Sequence, residues 1–273
     1  MVKKLDVSVI IPFKDHSDLT NACIESISKL NLREVLLISN NSSEAELHAV
    51  QQVANTYANT KVLIYNEKFN YQKINNWAAA QAVGKALWLL NNDVELPPDS
   101  EKLVEAMYTN ALDKNTGAVG AVLTYGDKKT IQHAGVYLVP GGTADHLYIG
   151  KDLKKIENAV QQKKAQYDIV NNLDASAVTA ASLMVERTKF EAIKGFNEDF
   201  IITGGDVDLC LRLSDKGYAA RLVGSKFGTM IHKESQSRSH IGIPYNDFIQ
   251  SYYSYIKHFD ITTGDHFINP GTK

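Results

Sequence analysis

Three short stretches put chemically capable side chains where the chain leaves its core. In LWLLNNDVEL (87–96), four apolar residues run straight into Asn91-Asn92-Asp93. A carboxylate at the carboxyl end of a buried strand suits Mg²⁺ or Mn²⁺, which take oxygen ligands and share them with substrate phosphates. The same triplet serves equally well as an Asx-type turn ahead of Pro97-Pro98. TGGDVDLCLRL (203–213) sets Asp206 and Asp208 behind two glycines, at the start of a helix whose stripe is Leu209, Cys210 and Leu213. Asp206 there reads first as a cap or a partner for the helix dipole. The glycines would also let a substrate approach the backbone, with Asp206 facing it as a general base. In MIHKESQSRSH (230–240), His232 ends an apolar strand with Lys233, Glu234 and Arg238 behind it. A lone histidine in that position is more often a surface residue than a ligand, and no HxH or HExxH spacing supports a zinc hydrolase.

Such residues need a frame. Apolar, β-branched runs mark strands at 6–13, 34–39, 61–65 and 85–90, and helical periodicity falls at 17–30, 44–57 and 72–83. Ser17 is placed to cap the first helix. Repeated strand–helix units predict a parallel, doubly wound sheet, whose ligands bind outside the strands' carboxyl ends. Those ends are all polar: Lys14-Asp15, Asn40-Asn41, Asn66-Glu67 and Asn91-Asn92-Asp93. The second half is less regular. Strands are expected at 118–123, 131–139, 175–186, 219–223 and 227–232, a short helix at 206–216, and a solvated helix or loop at 151–165. Nothing marks a linker, so one continuous domain over 1–273 is expected, with a mixed-sheet second half.

Composition narrows the function classes. The chain has 273 residues, 44% of them hydrophobic, and a formal net charge of −2, so no basic face favours nucleic acid. Cys23 and Cys210 stand far apart without CxxC spacing, which fits a reducing, cytoplasmic setting. No signal peptide is visible, and no apolar run reaches the roughly 18–20 residues that span a bilayer. Peripheral attachment at the inner membrane face stays open. The phosphate-binding GxGxxG and GxxxxGK[ST] loops are missing, as is the GxSxG elbow of α/β-hydrolases.

Ten segments in order resemble family 2 glycosyltransferases of the GT-A fold, in the O-antigen and polysaccharide branch with rhamnosyl-, galactosyl- and glucosyltransferase-like members. They are VSVIIPFKD (7–15), ISNNSS (38–43), FNYQKINNWAA (69–79), LLNNDVEL (89–96), IQHAGV (131–136), AVTAASLMVER (177–187), GFNEDF (195–200), DVDLCLRL (206–213), HKESQSR (232–238) and GDHFINP (264–270). The resemblance implies an α/β, Rossmann-like single domain with a mostly parallel mixed central sheet flanked by helices, its nucleotide-binding half at 1–96, its acceptor and catalytic half at 97–240 and a helical segment at 241–273. It implies Mn²⁺ or Mg²⁺, a UDP- or dTDP-hexose donor, and inversion at the anomeric carbon. LLNNDVEL matches the metal motif, making Asp93 a ligand and setting Asn91 and Asn92 against ribose, diphosphate or metal-bound water. DVDLCLRL matches the motif whose first acid is the base, here Asp206, and His232 matches a second metal ligand. Pro12, Lys14 and Asp15 would line the nucleotide pocket, Asn40 would read the base, and Asn70, Lys73 and Asn76 would lie near nucleoside and phosphates.

This chain departs from that pattern at Ser39 and Gly205, where relatives carry acids, and at Ala180, where a glycine is common. The implied partners are a nucleotide sugar and a lipid- or protein-linked glycan acceptor. The rival readings are a nucleotidyltransferase, which would need a glycine-rich phosphate loop, and a glycan-binding protein without turnover. The aromatics of 243–259, at helical spacing, are expected to pack on the core rather than meet acceptor or membrane.

Overall fold

The computed structural model describes residues 4–233, 242, 244–260 and 262–267. The expected roles of Glu234, Arg238 and 268–270 lie outside the described residues. The strands are β1 (Leu5–Phe13), β2 (Leu32–Ser39), β3 (Thr60–Ile64), β4 (Ala86–Leu90), β5 (Val94–Glu95), β6 (Thr116–Ala121), β7 (Leu123–Thr124), β8 (Ile131–His133), β9 (Val136–Val139), β10 (Thr143–His146), β11 (Leu173–Ala175), β12 (Ser182–Glu186), β13 (Ala219–Val223) and β14 (Met230–His232). The helices are α1 (Ser17–Ile27), α2 (Glu44–Ala54), α3 (Tyr71–Ala79), α4 (Glu101–Ala111), α5 (Leu153–Gln161), α6 (Arg187–Ala192), α7 (Gly205–Ser214) and α8 (Tyr245–Tyr255). No helix among the described residues is long and apolar enough to cross a membrane.

The main sheet has eight strands in the order β11-β13-β6-β12-β4-β1-β2-β3. The pairs β1–β2, β2–β3, β1–β4 and β6–β13 are parallel, while β12 runs antiparallel to β4 and β6, and β11 to β13. The chain first builds outward from β1 to β3, then returns to lay β4 on the other side of β1. That reversal is the topological switch point, where a crevice opens beyond the strands' carboxyl ends. Lys14 follows β1 there and Asn91 follows β4.

Both faces of this sheet are buried, so its inner strands carry continuous apolar runs, Val9–Ile11 in β1 and Ala86–Leu90 in β4, rather than alternating. Trp88 of β4 is fully buried and donates its indole N–H to Ser182 Oγ at 3.0 Å. A second sheet, β5-β14-β7-β8, continues from the first: β5 follows β4 across the Asn91–Asp93 turn, and β7 follows β6.

Several expected elements come out differently. The 131–139 strand breaks into β8 and β9 at Ala134-Gly135, where Gly135 takes φ +102°. The 175–186 strand divides into β11 and β12, and its middle, 176–181, leaves the main sheet and makes only an isolated antiparallel bridge from Ala177 to Val136. The 227–232 strand begins only at Met230, after the 3₁₀ turn Ser225–Phe227 and Gly228 at φ +126°. Ser17 does not cap α1: the N-cap is His16, and the Ser17 N–H goes to Glu46 Oε2 at 2.7 Å. Of the aromatics on α8, Tyr255 is buried, whereas Tyr245, Phe248, Tyr252 and Tyr253 are exposed, against the core-packing expectation.

A buried carboxylate on β2 ties β1, β2 and β3 together. Glu34 Oε1 accepts from Ser8 Oγ at 2.7 Å and from the Val83 N–H at 2.8 Å, and Lys61 Nζ lies 3.2 Å from Oε2. Burial pushes its pKa up, but the bonds from Ser8, Val83 and Lys61 outweigh that, leaving it below the usual 4.5. Glu34 therefore stabilises the fold above its unfolded pKa, and this contribution disappears as pH falls through the lowered folded value. Glu34→Gln should lower stability at pH 7 and flatten the acid limb of a stability–pH curve from denaturant titrations. An unchanged acid limb would contradict this account of Glu34.

Candidate active site

Backbone pairing brings the first and third stretches together. β14 runs antiparallel to β5 with His232 opposite Val94, and the Lys233 N–H donates to Asp93 O at 3.0 Å. This register leaves His232 Nε2 3.1 Å from Asp93 Oδ1, with both side chains largely buried. Among the described residues, no three or more His, Cys, Asp or Glu side chains converge on a metal position. Asp93 and His232 do converge as a pair, and His232 Nδ1 is buried with no hydrogen-bond partner among the described residues. One carboxylate and one imidazole fit Mn²⁺ or Mg²⁺ when phosphate and water complete the coordination.

The second stretch enters from the opposite wall. Gly204 has φ +85°, a conformation that favours glycine, and it turns the chain into α7. A Cβ on Gly205 would lie 2.6 Å from the Gln72 carboxamide, so this glycine admits a neighbouring side chain rather than a substrate. Asp206 Oδ2 accepts from the Ala180 N–H at 3.0 Å, and Oδ1 from its neighbour Val207 N–H at 2.9 Å. Both carboxylate oxygens are thereby oriented, and each keeps a further lone pair. The break between β11 and β12 is what frees the Ala180 N–H for this purpose.

The loop before Asp206 is held from α8. Asp247, 0% exposed, accepts from the backbone N–H groups of Ile201, Ile202 and Thr203 at 2.7, 2.8 and 2.9 Å. Tyr255 Oη donates to Gly204 O at 2.7 Å. Asp247→Ala would leave three N–H groups without acceptors, a loss on the order of 3 kcal/mol. Denaturant titration reads this, and a change within about 0.5 kcal/mol, typical of a surface substitution, would contradict the clasp.

Asn91, Asp206 and His232 line one cavity of about 420 Å³, together with Tyr71, Gln72 and Gln132. The Tyr71 hydroxyl lies 3.2 Å from Asn91 Oδ1 and 3.1 Å from Ala180 O, linking the two walls. Asp93 sits behind His232 rather than on the lining. Asn92 turns away, donating to Thr20 Oγ1 at 3.0 Å.

The other expected contacts lie off the cavity, around the carboxyl ends of β1 and β2 and the start of α3. Pro12 is half-buried in β1 and Lys14 is exposed beyond it. Asp15 Oδ1 accepts from the Ser43 N–H at 2.8 Å. Asn40 gives its amide hydrogens to Tyr65 O and Glu67 O, both at 2.9 Å. Asn70 caps α3 by accepting from the Lys73 N–H at 2.9 Å, with the Lys73 side chain exposed. Asn76 bonds both backbone groups of Phe196, at 2.9 and 3.0 Å. Tyr71, Gln72, Gln132 and Asp247 were not anticipated from sequence. Asp247 carried one signal, an acid in the first turn of a helix, which by itself suggests only a dipole partner.

Comparison with known proteins matches this arrangement to a family. The model described as "Glycosyl transferase family 2" matches residues 8–164. O-antigen biosynthesis protein RfbC of Myxococcus xanthus is 35% identical over 269 residues, covering 97% of this chain and 20% of that protein. The uncharacterized protein y4gI of Sinorhizobium fredii is 35% identical over 244 residues, covering 87% of this chain and 25% of that protein. The chain thus spans a fifth to a quarter of the length of these relatives.

Among solved structures, the mannosyltransferase PcManGT from Pyrobaculum calidifontis, in complex with GDP-Man and Mn²⁺, aligns with TM-score 0.59 at 16% identity, over 86% of this chain and 59% of that one. GalNAc-T7 with UDP, GalNAc and Mn²⁺ aligns with TM-score 0.66 at 13% identity, over 94% of this chain and 48% of that one. With this sheet order, this crevice and these matches, the chain belongs to glycosyl transferase family 2 and has the GT-A fold.

Proposed function

We propose that the chain transfers a hexose, such as galactose, glucose or rhamnose, from a UDP- or dTDP-sugar to a hydroxyl of a growing cell-surface glycan, with inversion. The observation that carries this reading is one cavity with Asp206 on one wall and Asn91 and His232 on the other, Asp93 lying 3.1 Å behind His232. The acceptor hydroxyl must shed a proton as it attacks, and an oriented Asp206 carboxylate is the base for it. On the far wall, Asp93 and His232 would hold Mn²⁺ or Mg²⁺, which supplies positive charge for the departing diphosphate. Attack from the Asp206 side and departure on the His232 side make a single displacement, so no carboxylate has to act as a covalent nucleophile.

The nucleoside end of the donor is assigned to the polar edge formed by Pro12, Lys14, Asn40, Asn70, Lys73 and Asn76. The acceptor is a lipid- or protein-linked glycan met in the cytoplasm, and exposed Phe248 and Tyr252 beside the cavity offer it an aromatic approach at the inner membrane face. Support comes from the O-antigen role named for the Myxococcus relative and from the nucleotides and Mn²⁺ in the two structural neighbours. A panel of UDP- and dTDP-sugars, assayed for nucleotide release with Mn²⁺ and with a chelator, tests the reading. Release from at least one donor, abolished by the chelator, is expected; no release from any donor would overturn it.

A further inference from the structure

Gln72 and Gln132 line the cavity as buried polar side chains with no hydrogen-bond partner for Oε1 among the described residues. Gln72 is 1% exposed and Gln132 8% exposed. An amide left in that condition destabilises a fold, and native cores rarely tolerate one. Both side chains line the same cavity as Asp206, where a ligand would satisfy them once each carboxamide turns its oxygen toward it.

Their neighbours hold them in place. Gln72 lies in the first turn of α3, wedged against Gly205, where a side chain would collide with its carboxamide at 2.6 Å. Gln132 is fixed on β8 between fully buried Ile131 and His133, and His133 pairs with Leu123 of β7. His133 Nε2 accepts from the Gly135 N–H at 3.3 Å, and its Nδ1 lies 3.0 Å from His146 Nδ1. Burial, with the nearby histidines His146 and His232, pushes the His133 pKa well below its usual value, so this wall carries a neutral ring. A carboxamide offers one acceptor and two donor hydrogens, which matches hydroxyl groups that both give and take hydrogen bonds.

We propose that Gln72 and Gln132 read the hydroxyl groups of a neutral pyranose held beside Asp206, each carboxamide turning about its terminal bond so that Oε1 accepts from one hydroxyl while Nε2 donates to a ring oxygen or a second hydroxyl. The proposal rests on the glycosyltransfer reading and adds the substrate's chemistry to it. A site that pairs buried amides with hydroxyls discriminates strongly against sugars lacking those hydroxyls, because the amides are then left unpaired. The pyranose is either the donor's sugar or the acceptor's terminal sugar.

Gln72→Leu and Gln132→Leu test this on the intact chain, because binding and structural roles predict opposite signs. Replacing an unpartnered buried amide by an apolar side chain should leave the thermal midpoint unchanged or raise it. Calorimetry with Mn²⁺ should show UDP affinity unchanged. The added affinity of UDP-glucose or UDP-galactose over UDP should fall about 3–10-fold per variant if the donor sugar is read. If the acceptor is read, that increment stays and the KM for methyl glucoside or methyl galactoside acceptors rises by the same factor. A lowered midpoint with both sugar readouts unmoved would overturn the proposal and make the glutamines structural. Wild-type protein that binds neither UDP nor dTDP would instead remove the glycosyltransfer reading, and this role with it.

Discussion

Asp206→Asn is expected to bind the nucleotide sugar with near wild-type affinity and to transfer it roughly 10²–10⁴-fold more slowly, the usual contribution of a positioned general base. The substitution keeps size and shape but removes the proton acceptor. In the structure Oδ2 meets the Ala180 N–H and Oδ1 the Val207 N–H. An asparagine can satisfy only one of those donors with oxygen and must set its own amide hydrogens against the other. Some loss of stability should accompany the loss of rate, so the thermal midpoint is measured alongside. The loss should appear in kcat with donor KM little changed, as befits an interaction needed for the chemical step rather than for binding. Transfer at the wild-type rate would take the base role away from Asp206.

Removing either member of the Asp93–His232 pair should be as severe, but on binding. In Asp93→Ala and His232→Ala, Mn²⁺ should strengthen UDP binding far less than in wild type. The loss should exceed the roughly 10–100-fold typical of removing a mere outer-shell partner of a metal site. The two differ in what they leave behind. His232→Ala leaves a carboxylate, which still attracts a hard cation, whereas Asp93→Ala leaves an imidazole, a poorer ligand for Mg²⁺. Asp93→Ala should therefore be the more damaging with Mg²⁺, and the gap should narrow with Mn²⁺. Calorimetric titration of UDP with and without each metal reads all of this. A variant in which Mn²⁺ enhances UDP binding as in wild type would exclude that residue as a ligand.

How much of this was legible in the sequence depended on whether the determinant was local. The β-branched density of VSVIIPF marks β1 without reference to the rest of the chain, and the polar ends of β1 to β4 follow from the same reading. The 176–181 break was not legible. Its Ser-Ala-Val-Thr-Ala-Ala composition suits a strand, and only the need to give the Ala180 N–H to Asp206, 26 residues later, takes it out of the ladder. The Ile131–Val139 region failed similarly at Gly135, whose positive φ is compatible with glycine but not announced by it.

Asn91, Asp206 and His232, which the structure places on one cavity, stood out in the sequence because residue types that carry chemistry lay at element ends. Gln72, Gln132 and Asp247 were missed because each matters only through distant partners or their absence. Asp247 looks like an ordinary first-turn acid until the loop at 201–203 is seen to hang from it. The reading of Gly204-Gly205 as room for substrate was also local, and the structure assigns Gly205's space to Gln72.

The central claim is a single displacement in which Asp206 acts only as a base. The most direct measurement is proton NMR of the sugar first released when the enzyme and Mn²⁺ hydrolyse a UDP-α-hexose, recorded before mutarotation. The account predicts the β-anomer in the earliest spectra, because water replaces the acceptor on the face opposite the leaving diphosphate. An α-anomer appearing first would mean retention, and would contradict both the single displacement and the role given to Asp206.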